Sequence, residues 1–252
     1  MVIGNYLVFG LPARSLFPAL KLYGRQINLR FRTFSKWAAP AEAGIWLLEF
    51  NLMDVIISKE VFDLQESDLL ITALFQDERP LRGSIGWIDW RLNGMLSRFL
   101  IENKLAGEWR ERTLIPSQGR IYPRLILIFG LGKVKEYSYL SVREVVPFMA
   151  ETLKNLKTSH ICLSLPYGEE YNVDCGKLTE VLLEGLTDGL DQYPSDRELM
   201  ENLTLSFGEG EERFSEIFLG VQTAKSILKD RLQIRILTPS ETLPKASLAR
   251  SI

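Results

Sequence analysis

Only one histidine, His160, and two cysteines, Cys162 and Cys175, occur in the 252 residues. A Ser–His–acid or Cys–His site would therefore have to be built on His160. That residue opens an apolar run, His160–Leu165, that reads as a buried strand. Sites in parallel α/β sheets gather at the carboxyl ends of strands, so His160 stands at the wrong end and reads as structural. No G-x-S-x-G elbow is present, and no C-x-x-C or H-x-x-x-H spacing offers a metal cage. Carboxylates alone could hold magnesium, but nothing in their spacing favours it, and no cofactor is expected. Cys162, inside the apolar run, reads as a small core residue.

Two glycine-bearing segments and one charged loop remain. Gly130, Leu131, Gly132 and Lys133 follow the run Arg124–Phe129 directly. Two glycines let backbone N–H groups approach an anion, and Lys133 adds positive charge; a tight turn out of the strand explains the same residues. The loop Asp77–Gly83 holds Asp77, Arg79, Arg82 and Gly83, which with Gly130, Gly132 and Lys133 form the candidate ligand-binding set. The alternative is a packed loop with an Arg–Asp ion pair among Asp77, Arg79, Arg82, Asp89 and Arg91. The third segment, Phe207-Gly208-Glu209-Gly210-Glu211, mimics the start of a dinucleotide fingerprint, but Arg213 stands where the last glycine belongs. Glu209, Glu211 and Glu212 would repel a pyrophosphate.

The elements that must carry these residues alternate. Strands are expected at 54–62, 68–75, 124–129, 160–165, 203–207 and 232–237, with a short exposed strand pair within 104–123. Helices are expected from Asp89 to Ile101, after a cap at Ser141, after a cap at Asp174, and from Glu211 to Lys229. Leu92, Met95, Leu96, Phe99 and Leu100 make one apolar face, and Val142, Val145, Val146, Met149, Leu153 and Leu156 make another. Strands alternating with helices of this length imply parallel pairing and right-handed crossovers. Continuous apolar strands imply that both sheet faces are covered. The expected architecture is a three-layer α/β/α sandwich around a mixed, mostly parallel sheet.

Hydrophobic residues make up 46% and charged residues 25%, enough for a sizeable core, and the net charge of −2 implies no polyelectrolyte partner for the whole chain. The charge is uneven. Residues 1–41 hold six basic side chains (Arg14, Lys21, Arg25, Arg30, Arg32, Lys36) and no acid. This divides the chain into a basic extension over 1–52, a domain over 53–240 and a frayed tail over 241–252. The extension either packs on the domain, reflects an over-extended start, or binds nucleic acid through residues 14–37 with Phe31, Phe34 and Trp37. No apolar run reaches the ~18–20 residues of a membrane span. The first basic residue comes too late for a secretory leader, and two cysteines suit a reducing compartment, so a cytoplasmic location is expected.

Three motifs in order, Phe75–Gly83, then Asp89-Trp90-Arg91 with Gly94, Leu96 and Ser97, then Phe129–Lys133, resemble the N-terminal domain of the leucyl (cytosol) aminopeptidase family, in particular its stand-alone bacterial versions. The resemblance covers about 53–195 and extends more loosely to 238. It implies a macro-domain-like fold. In macro domains the loop matching Pro166-Tyr167-Gly168 wraps the diphosphate of ADP-ribose; here Glu169 and Glu170 follow, and two carboxylates repel a diphosphate. The family's catalytic half holds two metal ions around an Asn-Thr-Asp-Ala-Glu-Gly-Arg string, which the sequence to Ile252 does not carry. The resemblance thus implies a non-catalytic module that serves protein interaction, self-association or regulation, or that binds a small anionic ligand.

Overall fold

A computed structural model describes residues 2–3, 6–8, 51–191 and 203–238. Nine strands form one sheet among the described residues. They are β1 (Val2–Ile3), β2 (Tyr6–Val8), β3 (Asn51–Ile57), β4 (Leu69–Leu74), β5 (Arg112–Pro116), β6 (Leu125–Gly130), β7 (His160–Leu163), β8 (Thr204–Phe207) and β9 (Leu232–Leu237). Their order is β1-β2-β5-β6-β4-β7-β8-β3-β9. The β1–β2 and β5–β6 pairs are antiparallel, and the other pairs of this sheet are parallel. Five helices accompany the strands among the described residues: α1 (Gly83–Arg91), α2 (Met95–Ile101), α3 (Tyr139–Leu156), α4 (Cys175–Asp191) and α5 (Phe214–Leu228). None of the described helices is long and apolar enough to cross a membrane.

Strand alternation sorts side chains into two cores. Leu69, Ile71, Ala73, Leu127, Phe129, Ile161 and Leu163 face α3, α4 and α5, packing against Val142, Val145, Leu182 and Ile217. Their neighbours Leu70, Leu74, Ile126, Ile128 and Cys162 face α1 and α2, packing against Ile85, Ile88, Met95 and Leu96. Both faces of the central strands are covered, so the strands read as nearly continuous apolar runs, with Thr72 in β4 a buried polar exception. The three-layer α/β/α arrangement around a mixed, mostly parallel sheet is the one expected.

Several elements differ from the sequence expectation. The helix expected from Asp89 to Ile101 is two helices, and the first begins at Gly83. They separate where Asn93 and Gly94 take left-handed conformations (φ 58° and 71°). Glycine at the cap of α2 brings no side-chain acceptor. Asp89 supplies one from α1, its carboxylate accepting from the Leu96 N–H at 2.7 Å, the Ser97 N–H at 3.1 Å and the Ser97 hydroxyl. One carboxylate thus fixes the α1–α2 corner. Asp89→Ala is expected to cost about 1–2 kcal/mol in urea unfolding, the usual worth of a helix cap. Asp89→Asn, which still accepts, should cost under half of that; equal losses would count against the cap.

The strand pair expected within 104–123 is a single buried strand, β5, which pairs antiparallel with β6. The strand expected at 54–62 is β3, ending at Ile57 and followed by a helical turn at Phe62–Leu64. Ser138, not Ser141, caps α3: its hydroxyl accepts from the Ser141 N–H at 3.3 Å while the Ser141 hydroxyl accepts from the Ser138 N–H at 2.8 Å. Either serine fits the cap by type, and the reciprocal pair uses both. At α4, the Asp174 carboxylate accepts from the Lys177 N–H at 2.8 Å. The helix expected from Glu211 begins as a short helical turn and continues as α5 from Phe214. Strands β1 and β2 lie within the stretch read as an extension, and β2 pairs parallel with β5. The basic side chains at 14–37 and the tail beyond 238 lie outside the described residues.

Candidate functional site

The order of the strands says where to look. After β4 the chain moves to β5 and β6 on one side; after β7 it moves to β8 on the other. Strands β4 and β7 are parallel neighbours, so the loops leaving their carboxyl ends part and open a crevice between them. The crevice is there: a cavity of about 500 Å³ bounded by the segments after β4, β7 and β8. The first segment gives Glu78, Arg82, Gly83 and Ser84. The second gives Ser164, Tyr167, Gly168, Glu169 and Glu170. The third gives Glu209 and Arg213.

Aromatic packing holds the walls. The Phe75 ring, at the end of β4, meets Tyr137 edge-on at 5.1 Å and stacks on Tyr171 at 5.3 Å. The Tyr137 hydroxyl donates to the Pro166 carbonyl at 2.8 Å, and the Tyr171 hydroxyl donates to the Glu78 carboxylate at 2.7 Å. The first bond ties the loop after β7 to the segment after β6, and the second ties it to the loop after β4. Gly168 has φ +127°, which disfavours any side chain, and a Cβ there would stand 2.7 Å from the Glu170 carboxylate.

Two groups on the floor are not at rest. Ser164 is 2% exposed, and its hydroxyl oxygen has no hydrogen-bond partner. It lies close enough to Glu209 to draw that carboxyl's pKa down, without reaching it in good hydrogen-bond geometry. Orphaned buried polar atoms cost about 1–3 kcal/mol and call for an explanation. The Glu209 carboxyl is enclosed although the residue keeps some access, and burial raises its pKa to about 7. The Tyr167 hydroxyl, donating at 3.2 Å, and the Arg213 guanidinium oppose that rise only in part. Arg213 lies over the Tyr167 ring at 5.5 Å and pairs with Glu216 at 2.7 Å.

Of the candidate ligand-binding set, Arg82 and Gly83 line this cavity, together with Tyr167, Gly168, Glu169 and Glu170 from the loop matched to the macro-domain diphosphate loop. The others serve elsewhere. The Gly130 and Gly132 N–H groups donate to the carbonyls of Glu111 and Gly107 at 2.8 and 3.0 Å, and the Leu131 N–H donates to that of Leu74 at 2.9 Å. The N–H groups of residues 130–132 are thus taken and do not await an anion, and Lys133 is exposed outside the cavity. Asp77 accepts from the Val134 N–H at 2.9 Å. Arg79 donates to the Phe75 carbonyl at 2.8 Å and to those of Glu78 and Ala106. The ion pair expected among Asp77, Arg79, Arg82, Asp89 and Arg91 does not form among the described residues: Arg91 pairs with buried Asp63 at 2.8 Å. Irregular backbone leaves carbonyls and N–H groups that need partners, and the loop's charges satisfy those first.

Sequence reasoning misses Ser164, places Tyr167 only in the loop that resembles the macro-domain diphosphate loop, and counts Glu209 only against a phosphate. The signal available for Glu209 was its place directly after a strand, read only as obstructing a nucleotide. His160 lies at the amino end of β7, away from the cavity, with its Nε2 buried and unpartnered. Both thiols are buried, and burial pushes their pKa values up to about 12, which withholds the thiolate. Among the described residues no three His, Cys, Asp or Glu side chains stand together in a way that could hold a metal ion.

Residues 72–195 match the model of the cytosol aminopeptidase family, N-terminal domain. A probable cytosol aminopeptidase of Sulfurihydrogenibium sp. (strain YO3AOP1) is 27% identical over 149 residues, 58% of this chain and 29% of that protein. One from Cyanothece sp. (strain PCC 7425 / ATCC 29141) is 28% identical over 125 residues, 50% of this chain and 25% of that protein. The chain thus spans under a third of the length of these curated relatives. Among solved structures, a point mutant of the Oceanobacillus iheyensis macrodomain superposes with a TM-score of 0.51 at 14% identity, covering 68% of this chain and 92% of that one. That likeness concerns the fold.

Proposed function

We propose that this macro-like unit, whose residues 72–195 match the model of the cytosol aminopeptidase family, N-terminal domain, is a non-catalytic binding module of the cytoplasm. It takes a small polar ligand in the crevice between β4 and β7, and occupancy regulates its contacts with a protein partner or with itself. The observation that carries this reading is the Ser164 hydroxyl, buried without a partner on the floor of a cavity of about 500 Å³. A ligand hydrogen bond would relieve that cost. Peptide-bond cleavage finds less support: the metal chemistry of the family requires clustered ligands, and the residues around this cavity do not fit it.

The test is a panel of simple probes followed by amide NMR of the full chain: putrescine, ribose, adenosine, pyrophosphate and ADP-ribose. At least one is expected to shift the amides of Ser164 and Gly168 saturably and to add about 2–3 kcal/mol of stability at ~100 times its Kd. A panel without any saturable shift there would overturn the ligand reading. Metal-dependent hydrolysis of leucine p-nitroanilide by the pure protein would overturn the non-catalytic one.

A further inference from the structure

Resting on the ligand-binding reading above, we infer that the crevice selects a small organic cation, an amine or a guanidinium, rather than a phosphate ester. Charge is the first reason. Glu78, Glu169, Glu170 and Glu209 face the cavity, and none of the four forms an ion pair among the described residues. Against them stand two guanidinium groups, and that of Arg213 is already paired with Glu216 and laid on Tyr167. A second anion placed among four carboxylates would be repelled, whereas an ammonium gains from each.

Donor supply is the second reason. A diphosphate is held by backbone N–H groups turned towards it. In the loop after β7 the Gly168 N–H donates to the Val173 carbonyl at 2.8 Å, and the N–H groups of Tyr171, Asn172 and Val173 donate to carbonyls of the same loop. The tyrosine hydroxyls are likewise committed, to Glu78 and Glu209. Arg82 remains as a donor at the rim; the other side chains facing the cavity offer mainly acceptors, carboxylate oxygens around the wall and the unpartnered Ser164 oxygen on the floor. A surplus of acceptors over donors suits a ligand rich in N–H groups. A bare divalent ion is a poor occupant, because no three ligating side chains among the described residues stand close enough and the space far exceeds one ion.

Amide NMR of the full chain at pH 8 and constant ionic strength tests the class, using putrescine and argininamide as cations and pyrophosphate and ADP-ribose as anions. The cations are expected to shift residues 164–171 and 209 saturably with a Kd below about 1 mM. Replacing the exposed pair as Glu169→Gln with Glu170→Gln should weaken them by about tenfold with the thermal midpoint unchanged, and Ser164→Ala should weaken them independently of charge. Saturable pyrophosphate or ADP-ribose without saturable cations would overturn the cation class while leaving the pocket reading intact. No saturable probe of either sign would overturn both. Cation shifts spread over the surface, and equal in the Gln pair, would also overturn the inference.

Discussion

Gly130→Ala should unfold this domain or remove about 3–5 kcal/mol of its stability, the range reached when backbone must move inside a core. Gly130 ends β6 and pairs in register with Leu74. A Cβ at this position would stand 1.9 Å from the Glu108 carbonyl oxygen and 2.9 Å from the Glu111 Cβ. Neither neighbour is the end of a flexible side chain. The Gly130 N–H donates to the Glu111 carbonyl at 2.8 Å, and its own carbonyl accepts from the Arg110 N–H at 2.9 Å, so withdrawing segment 108–111 breaks both bonds. Gly132 two residues on is the control. Its φ of +69° strains a substitution, but the nearest atom to its Cβ is 3.6 Å away. Gly132→Ala should therefore cost about 1–2 kcal/mol, the left-handed penalty alone. Urea midpoints of the two variants compare them directly. A Gly130→Ala loss no greater than that of Gly132→Ala would reject the close approach and return this turn to the candidate ligand residues.

The same turn shows what the sequence could convey. A strand followed by Gly-x-Gly-Lys is legible, because glycine reports that backbone comes close to something. It does not report what. Here the close neighbour is the 107–111 segment, whose sequence separation from Gly130 hides it. Strands β4, β6, β7 and β9 were legible within two residues at each end, since each is a short apolar run stopped by polar or turn residues. Strand β5 was not: Arg112–Pro116 alternates weakly, and its burial is decided by its antiparallel partner and not by its own pattern. The corner at Asn93-Gly94 was hidden because apolar positions keep helical spacing across it, and only the backbone angles reveal two helices. The candidate site was half legible. Arg82 and Gly83 were found because the charged loop is distinctive. Ser164 was passed over as one polar residue in an apolar strand, and Glu209 was weighed only against a phosphate.

Glu209 makes the protein's stability depend on pH in the direction opposite to most carboxylates. Its folded pKa, about 7, lies above the ordinary glutamate value because burial disfavours the charged form. The folded state therefore holds a proton that the unfolded chain releases. Below the unfolded value of about 4.5 the group is neutral in both states and costs nothing. From there to about pH 7 the unfolded chain ionises first, and stability falls. Above pH 7 the penalty is complete. A shift of this size corresponds to about 3 kcal/mol, and we take about 2 kcal/mol because the residue keeps some access to water. Ser164, Tyr167, Arg213 and the thiols of Cys162 and Cys175 are the groups that interact with it. Glu209→Gln keeps the shape and the acceptor for Tyr167 while removing the charge. It should leave stability unchanged near pH 4.5 and raise it by about 2 kcal/mol at pH 8, with urea unfolding at the two values as the measurement. Arg213→Ala should widen the wild-type difference, since it removes the one guanidinium that lowers this carboxyl's pKa. Parallel stability curves for wild type and Glu209→Gln would mean that the carboxylate is solvated at neutral pH, and with it would go the low-dielectric crevice floor on which a charged ligand's selectivity depends.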